Sequence, residues 1–460
     1  MSRIETACYY SFLLLLIWLP VPLASNRVWA WSIAEFWIAC QTFSLIIAYR
    51  KNFPWHRVKR FYWLLIPLLI FQVWVALQLV RLPVDWLGWI SPEAANTFRW
   101  VGAEYGSVSL DHFATVAGLI KGISYTLFAF NAVLLVNSIK RIKSVMITLV
   151  ISGTFQAFYG AMMVLLGIRK SLVFGFPEVD IATGSFVYKN HLANYLMMVL
   201  SVGVGLIVSE LHQSRSGSWR VRLRRWSDAM LSSKMMVRLA LVIMVIALVM
   251  TRSRMGNSAF FAVTIIGGLV GLLLYKNRPR ALTVLIISLL AIDTLIVGTV
   301  FGLGKVKERL EHTSVQAETR DQVVVWSLDI IQDFPVTGTG MGSYYSTFPK
   351  YTQYNVGFYN HAHNEYIEFA VEAGIPATLM LGSMVLFAVW LCLKAVRSRN
   401  SRTMKGAALG SLMAIVGMLI HISVDFNLQA PANALTFILI LVLAGCSANM
   451  PVKVKNGKAL

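Results

Sequence analysis

The sequence predicts an all-α polytopic membrane protein with about twelve transmembrane helices and one large extracytoplasmic loop that itself contains helices. Three observations carry this expectation. The 460 residues are 57% hydrophobic and only 13% charged, with a mean hydropathy of +0.65. An ordinary globular chain carries about 25% charge, and this one has too little polar surface to cover itself in water. The apolar residues gather into runs of spanning length, and the basic residues alternate between the connecting segments. A bilayer accepts apolar exteriors and requires helical spans of roughly 20 residues, because backbone polar groups find no partner in hydrocarbon.

Spans are expected near 7–24, 28–49, 61–80, 114–137, 145–167, 191–211, 236–251, 258–275, 281–302, 374–395, 406–426 and 433–448. The first run has no small-residue cleavage site and leads into a second span, so it reads as an uncleaved helix. With the N-terminus inside, 27 of the 41 Lys and Arg residues fall in cytoplasmic segments such as RKNFPWHRVKR, SIKRIKS and RSRNSRTMK or, as Arg238 and Lys394 do, at the adjoining span ends. The positive-inside rule then puts both termini in the cytoplasm. It also accounts for the formal charge of +20 through contact with anionic membrane lipid, with no nucleic-acid partner. Cys8, Cys40, Cys392 and Cys446 lie scattered in or beside apolar runs and read as packing thiols. Without an internal repeat or a low-complexity linker, residues 1–460 form a single integral membrane domain.

Three outer segments have substance: 81–113, 168–190 and 303–373, the last inserted between spans 9 and 10. About seventy residues is too long for a connector. Its first part places Val323, Trp326, Ile330 and Phe334 on one helical stripe, PVTGTGMGSYYSTFPKY forms a Gly-rich turn region, and HAHNEYIEFAVEAGIPATL resumes a helix into the next span. Gly338, Gly340 and Gly342 lack the lysine and strand of a nucleotide motif. They serve a tight turn or a close backbone approach.

Polar groups at the membrane are the place to look for chemistry. TRSRMGN holds Arg252 and Arg254 in a short outer turn, on the side where arginine is disfavoured. A phosphate or pyrophosphate explains them through bidentate, permanently charged contacts, and a headgroup anchor is the alternative use. Arg320 sits on the amphipathic loop helix, where a solvated face is the ordinary reading. Lys189, Asn190 and His191 open the sixth run at the same surface, a position that an interfacial cap also fits. In HAHNEY, His361, His363 and Glu365 are spaced poorly for metal ligation from a helix start, and a third histidine is missing nearby. A neutral histidine facing an arginine-bound pyrophosphate suits a general base better, with Glu365 and Glu368 as competing bases. Lys121 and Asp293 lie deep in apolar runs, and His421 with Asp425 reads as a local pair.

GSFVYKNHLANYL, TRSRMGNSAFF, Arg320 and Trp326 followed by DFPVTGTGMGSYYSTFPKY, and HAHNEYIEFAVEAGIPATL form an ordered set over about 183–380. In this set and in its twelve-span plan the chain resembles the bacterial O-antigen ligase and O-antigen polymerase superfamily. The resemblance implies an inner-membrane enzyme working on the periplasmic side. It would move a glycan from undecaprenyl pyrophosphate to lipid A-core, to another lipid-linked repeat, or to a protein. Arg254 and Arg320 match the family's arginines, and His363 matches its histidine in the HN pair. Lys189, Asn190 and His191 align with a region lining the same cavity.

The residue types fit that chemistry on their own terms. A lipid pyrophosphate must depart while an acceptor hydroxyl attacks the anomeric carbon, which requires a cationic cradle and a base. The expected catalytic set is His363, Arg254 and Arg320, with Arg252, Lys189, Asn190, His191, His361, Asn364 and Glu365 binding substrate and no metal or other cofactor. The expected function is O-antigen ligation in cell-surface polysaccharide and lipopolysaccharide assembly, with repeat polymerisation as the alternative. A twelve-span transporter or lipid-linked-glycan flippase using Lys121 and Asp293 is the competitor from another class, and it leaves the outer arginines and HAHNEY unexplained.

Overall fold

The structure, a computed structural model, describes residues 3–176, 180–210, 233–275, 315–355 and 357–451, with a few isolated positions besides. The expected span at 281–302, Asp293, and residues 303–314 of the large loop lie outside them. The long helices are α1 (Arg3–Trp18), α2 (Val28–Tyr49), α3 (Tyr62–Gln78), α4 (His112–Leu135), α5 (Ile139–Leu165) and α6 (Lys189–Glu210). They are followed by α7 (Ser233–Met250), α8 (Arg254–Leu274), α9 (Val315–Asp333), α10 (Glu365–Ala373), α11 (Ile375–Ser398), α12 (Arg402–His421) and α13 (Pro431–Asn449). Among the described residues, eight of these (α2, α4, α5, α6, α8, α11, α12 and α13) are long and apolar enough to cross a membrane, and α3 and most of α7 are shorter apolar helices. The chain is a polytopic α-helical membrane protein.

Helix starts follow capping chemistry. The side chains of Asp111, Ser138 and Ser253 accept from the backbone N–H three residues on, opening α4, α5 and α8. Helices α6 and α13 are each 94% buried over their most apolar window and form the centre of the bundle, whereas α2, α8 and α11 turn most of their surface outward. The closest packing joins α6 to α12. A Cβ on Gly205 would collide with the Gly406 carbonyl, and one on Gly410 would meet the Ser201 carbonyl at 2.8 Å. Burying apolar side chains gives no net drive within lipid, so small residues that let backbones touch supply the contact area instead.

Contacts between helix ends sort many of the described connections into two faces. On one face lie the basic ends: Arg141 pairs with buried Glu5 at 3.0 Å and stacks over Tyr9, while the Arg399 guanidinium binds the Ser447, Ala448 and Met450 carbonyls that close α13. On the other face, a second apolar core sits above the bundle. There the helices Val84–Ile90 and Pro92–Trp100, held by a short antiparallel ribbon pairing Leu82 with Gly106, pack against α9 and α10. The stripe predicted from sequence, Val323, Trp326, Ile330 and Phe334, is buried in this core.

Candidate functional site

Helix α10 is nine residues long, and every backbone group at its ends has a partner. Asn364 caps it by accepting from Tyr366 N and Ile367 N, its carbonyl accepts from Glu368 N, and Glu365 N donates to the Ile422 carbonyl. At the other end, the carbonyls of Ala370, Val371, Glu372 and Ala373 accept from Gly374 N, Thr339 N, Gly340 N and Trp74 Nε1. Gln78 Nε2 adds a second bond to the Glu372 carbonyl. A helix leaves four donors and four acceptors unsatisfied at its ends, so this accounting explains why so short a piece holds its place. It also explains the alternating glycines: Gly338, Gly340 and Gly342 all have positive φ (64°, 106° and 82°), which lets the turn fold back onto the end of α10.

Three carboxyls, Glu365, Glu368 and Glu372, project from α10 into buried surroundings. Glu368 accepts three hydrogen bonds, from His361 Nδ1 at 2.7 Å, Ala362 N at 2.9 Å and Gln429 Nε2 at 2.9 Å. Glu365 accepts from Leu428 N at 2.6 Å, and burial beside Glu368 pushes its acidity well down, raising the pKa above the usual carboxylate range. Glu372 accepts from Tyr344 N at 3.1 Å and is raised for the same two reasons.

Phe426, in the connection between α12 and α13, organises the histidines. Its ring stacks on Tyr188 (5.4 Å, 11°) and on His361 (4.5 Å, 22°), and it meets the edges of His191 (5.2 Å) and His363 (4.9 Å). His191 is buried, with Nε2 3.2 Å from the Phe426 carbonyl, so it holds this ring in position. Asn190 donates to the Tyr188 hydroxyl at 2.8 Å. His363 sits at φ 51°, a left-handed conformation that a non-glycine residue adopts only under local constraint. Its Nδ1 lies 4.0 Å from Asp425 and has no hydrogen-bond partner among the described residues. Burial, then the charges of Arg320 and His361, take the His363 imidazole from its ordinary 6.5 down to about 4. Asp425 is pushed up to about 6 by burial, against the pull of Asn190, Arg320 and His361.

Arg320, exposed on α9, therefore stands near enough to His363, Asp425 and Tyr188 for its charge to bear on all three. Lys189 opens α6 beside Asn190. Arg252 and Arg254 are exposed on the same face, at the turn where the Ala182 N–H bonds the Met250 carbonyl, and neither has an ion-pair partner among the described residues. No cluster with metal-binding geometry occurs among the described residues. His421 bonds Asn194 (3.2 Å) instead of Asp425, and Asp425 turns toward the site. Sequence reasoning had not singled out Tyr188 or Phe426. Both are common residue types, and the only local signal was their place one or two positions from a polar group at a helix end.

Beneath this cluster, a cavity of about 660 Å³ descends between α3, α4, α11 and α13. His361, Glu365, Glu368, Glu372, Gln72 and Lys121 line it among mostly apolar walls. Lys121 Nζ lies 3.6 Å above the Trp31 ring, with Glu35 and Glu372 as its charged neighbours.

No curated protein matches the chain. Residues 239–382 match a family described as O-antigen ligase, a stretch running from α7 into α11 that carries Arg252, Arg254, Arg320, His361 and His363. Over that stretch, about a third of its length, this membrane protein is similar to the O-antigen ligase family.

Proposed function

We propose that this protein is a periplasm-facing inner-membrane glycosyltransferase of the O-antigen ligase type, which moves a glycan from undecaprenyl pyrophosphate to an acceptor hydroxyl. The observation that carries this reading is the meeting of a permanent cation, Arg320, with a neutral histidine, His363, beside a large amphipathic cavity. In this reading both termini are cytoplasmic, and the 303–373 segment forms the periplasmic wall of the site.

The acceptor oxygen attacks the anomeric carbon as the bond from that carbon to the pyrophosphate oxygen breaks, and the electron pair leaves on the pyrophosphate. Arg320, Arg254 and Arg252 balance the departing charge, Lys189 adds to the same field, and His363 takes the hydroxyl proton. A pKa near 4 makes His363 a weak base in the empty site. A pyrophosphate beside Arg320 cancels one of the charges that depress it, so donor binding raises the basicity of His363. With no side chain acting as a covalent nucleophile in this scheme, the displacement inverts the anomeric centre.

Deleting the gene and separating surface glycans by gel tests the reading. Accumulation of long lipid-linked polymer supports ligation, single-repeat capping moves the assignment to a polymerase, and an unchanged glycan profile with altered solute uptake removes the glycosyltransferase. His363→Ala and Arg254→Ala are each expected to abolish transfer at normal membrane levels of protein; activity retained in both would discard the site.

A further inference from the structure

The cavity carries a polar collar whose chemistry is opposite to that of the arginines. Glu365 Oε2, Glu372 Oε2 and Gln72 Oε1 are buried acceptors with no hydrogen-bond partner among the described residues, and all three side chains line the cavity. Leaving a buried polar atom unpaired costs about 1–3 kcal/mol, so three beside one cavity mark a place where hydrogen-bonding groups from outside the fold complete the set. The arginines are absent from the cavity lining, where Lys121 is the one cation among the described residues, and it faces the Trp31 ring and Glu372. Glu365 and Glu372, whose carboxyls burial raises above the usual range, favour neutral groups that both donate and accept hydrogen bonds over a phosphate.

Above the collar, Tyr345 and Phe358 meet edge to face at 5.1 Å, both exposed, offering flat apolar surfaces to the C–H faces of a sugar ring. Below it, Leu68, Phe71, Leu381, Phe437 and Ile438 make an apolar wall.

We propose that the collar of Gln72, Lys121, Glu365 and Glu372 is a hydroxyl-binding subsite for the saccharide of the acceptor, with the acceptor's hydrocarbon anchor seated in the apolar cavity below. This rests on the transfer reaction for the word acceptor. The binding chemistry itself, an alkyl-anchored saccharide with free hydroxyls, stands on the collar alone. It divides the site in two: pyrophosphate on the arginine side, hydroxyl donors on the carboxyl side, with His361 between them through its bond to Glu368.

The test measures equilibrium binding of two probes to the full-length protein in lipid nanodiscs. Hexyl β-maltoside presents hydroxyl donors on an alkyl chain, whereas hexyl triethylene glycol ether presents mainly acceptors on the same chain. The wild type is expected to bind the maltoside about tenfold or more tightly than the ether, the equivalent of one good hydrogen bond. Gln72→Met and Glu372→Gln should each erase that preference while leaving ether binding unchanged, which serves as the folding control. If one variant loses ether binding as well, the other decides. No preference in the wild type, or a preference surviving in the variant that still binds ether, overturns the subsite. Binding of undecaprenyl pyrophosphate, measured in parallel, is expected to weaken in Arg320→Gln and not in Gln72→Met. Failure of the wild type to bind it removes the transfer reaction and leaves the maltoside result to judge the collar.

Discussion

Arg320→Gln is the substitution that separates the two roles assigned to the cationic side of the site. In the proposed reaction the guanidinium supplies charge to a departing pyrophosphate, and it also bears on His363, Asp425 and Tyr188. A charge-assisted hydrogen bond is worth about 1.5–3 kcal/mol, so its loss should lower kcat/KM by about 10- to 100-fold. The second effect is on pH dependence. His363 is depressed from 6.5 to about 4 first by burial, then by Arg320, then by His361. Removing the second cause leaves the first, so the acid limb of kcat/KM should move upward from about 4 while staying below 6.5. The assay is single-turnover transfer of a labelled saccharide from undecaprenyl pyrophosphate in proteoliposomes, between about pH 4 and pH 8, a range that brackets the limb. An unchanged rate would refute the cradle. A reduced rate with an unmoved limb would refute His363 as the base while leaving the cradle intact.

Three further outcomes follow from the same geometry. Glu368→Gln turns one of two accepting oxygens into a donor, which drives the His361 proton from Nδ1 to Nε2 and costs about 1–2 kcal/mol; with His363 as base, transfer should stay within about tenfold of wild type, and a collapse of transfer at normal protein level would move the base to His361. Gly374→Ala forces a Cβ onto a residue at φ 83° and against the Val336 carbonyl, so the fusion-tagged protein should lose its monodisperse gel-filtration peak, and a normal melting temperature would contradict the packing at the end of α10. Native His363 stays neutral down to about 4, whereas an unfolded histidine protonates below 6.5; stability is therefore full above 6.5 and declines as pH falls toward 4, and thermal melts of His363→Gln should show a shallower decline across that window. Equal slopes for the two proteins would sink the assignment of a buried, neutral ring.

The sequence by itself determined the helices, because membrane burial leaves so strong a trace: apolar runs at 28–49, 114–137 and 374–395 agree closely with α2, α4 and α11. It also determined the buried stripe of Val323 to Phe334, since a 3.6-residue period is a local property. The residues of the arginine and histidine segments were legible as types in unfavoured places. What only the tertiary structure decided is which of them meet. Asn364, expected among the substrate contacts, caps α10, and His191, expected there as well, holds the Phe426 ring from a buried position. Phe426 gathers Tyr188, His361 and His363 from segments more than sixty residues apart, a relation that no local period encodes. The same holds for Lys121, an isolated charge in the sequence, which the packing of α4 against α2 sets over Trp31 and near Glu372, both among the residues that line the cavity. Periodicity records which face of a helix is buried; the partner it is buried against is a property of the packed bundle alone.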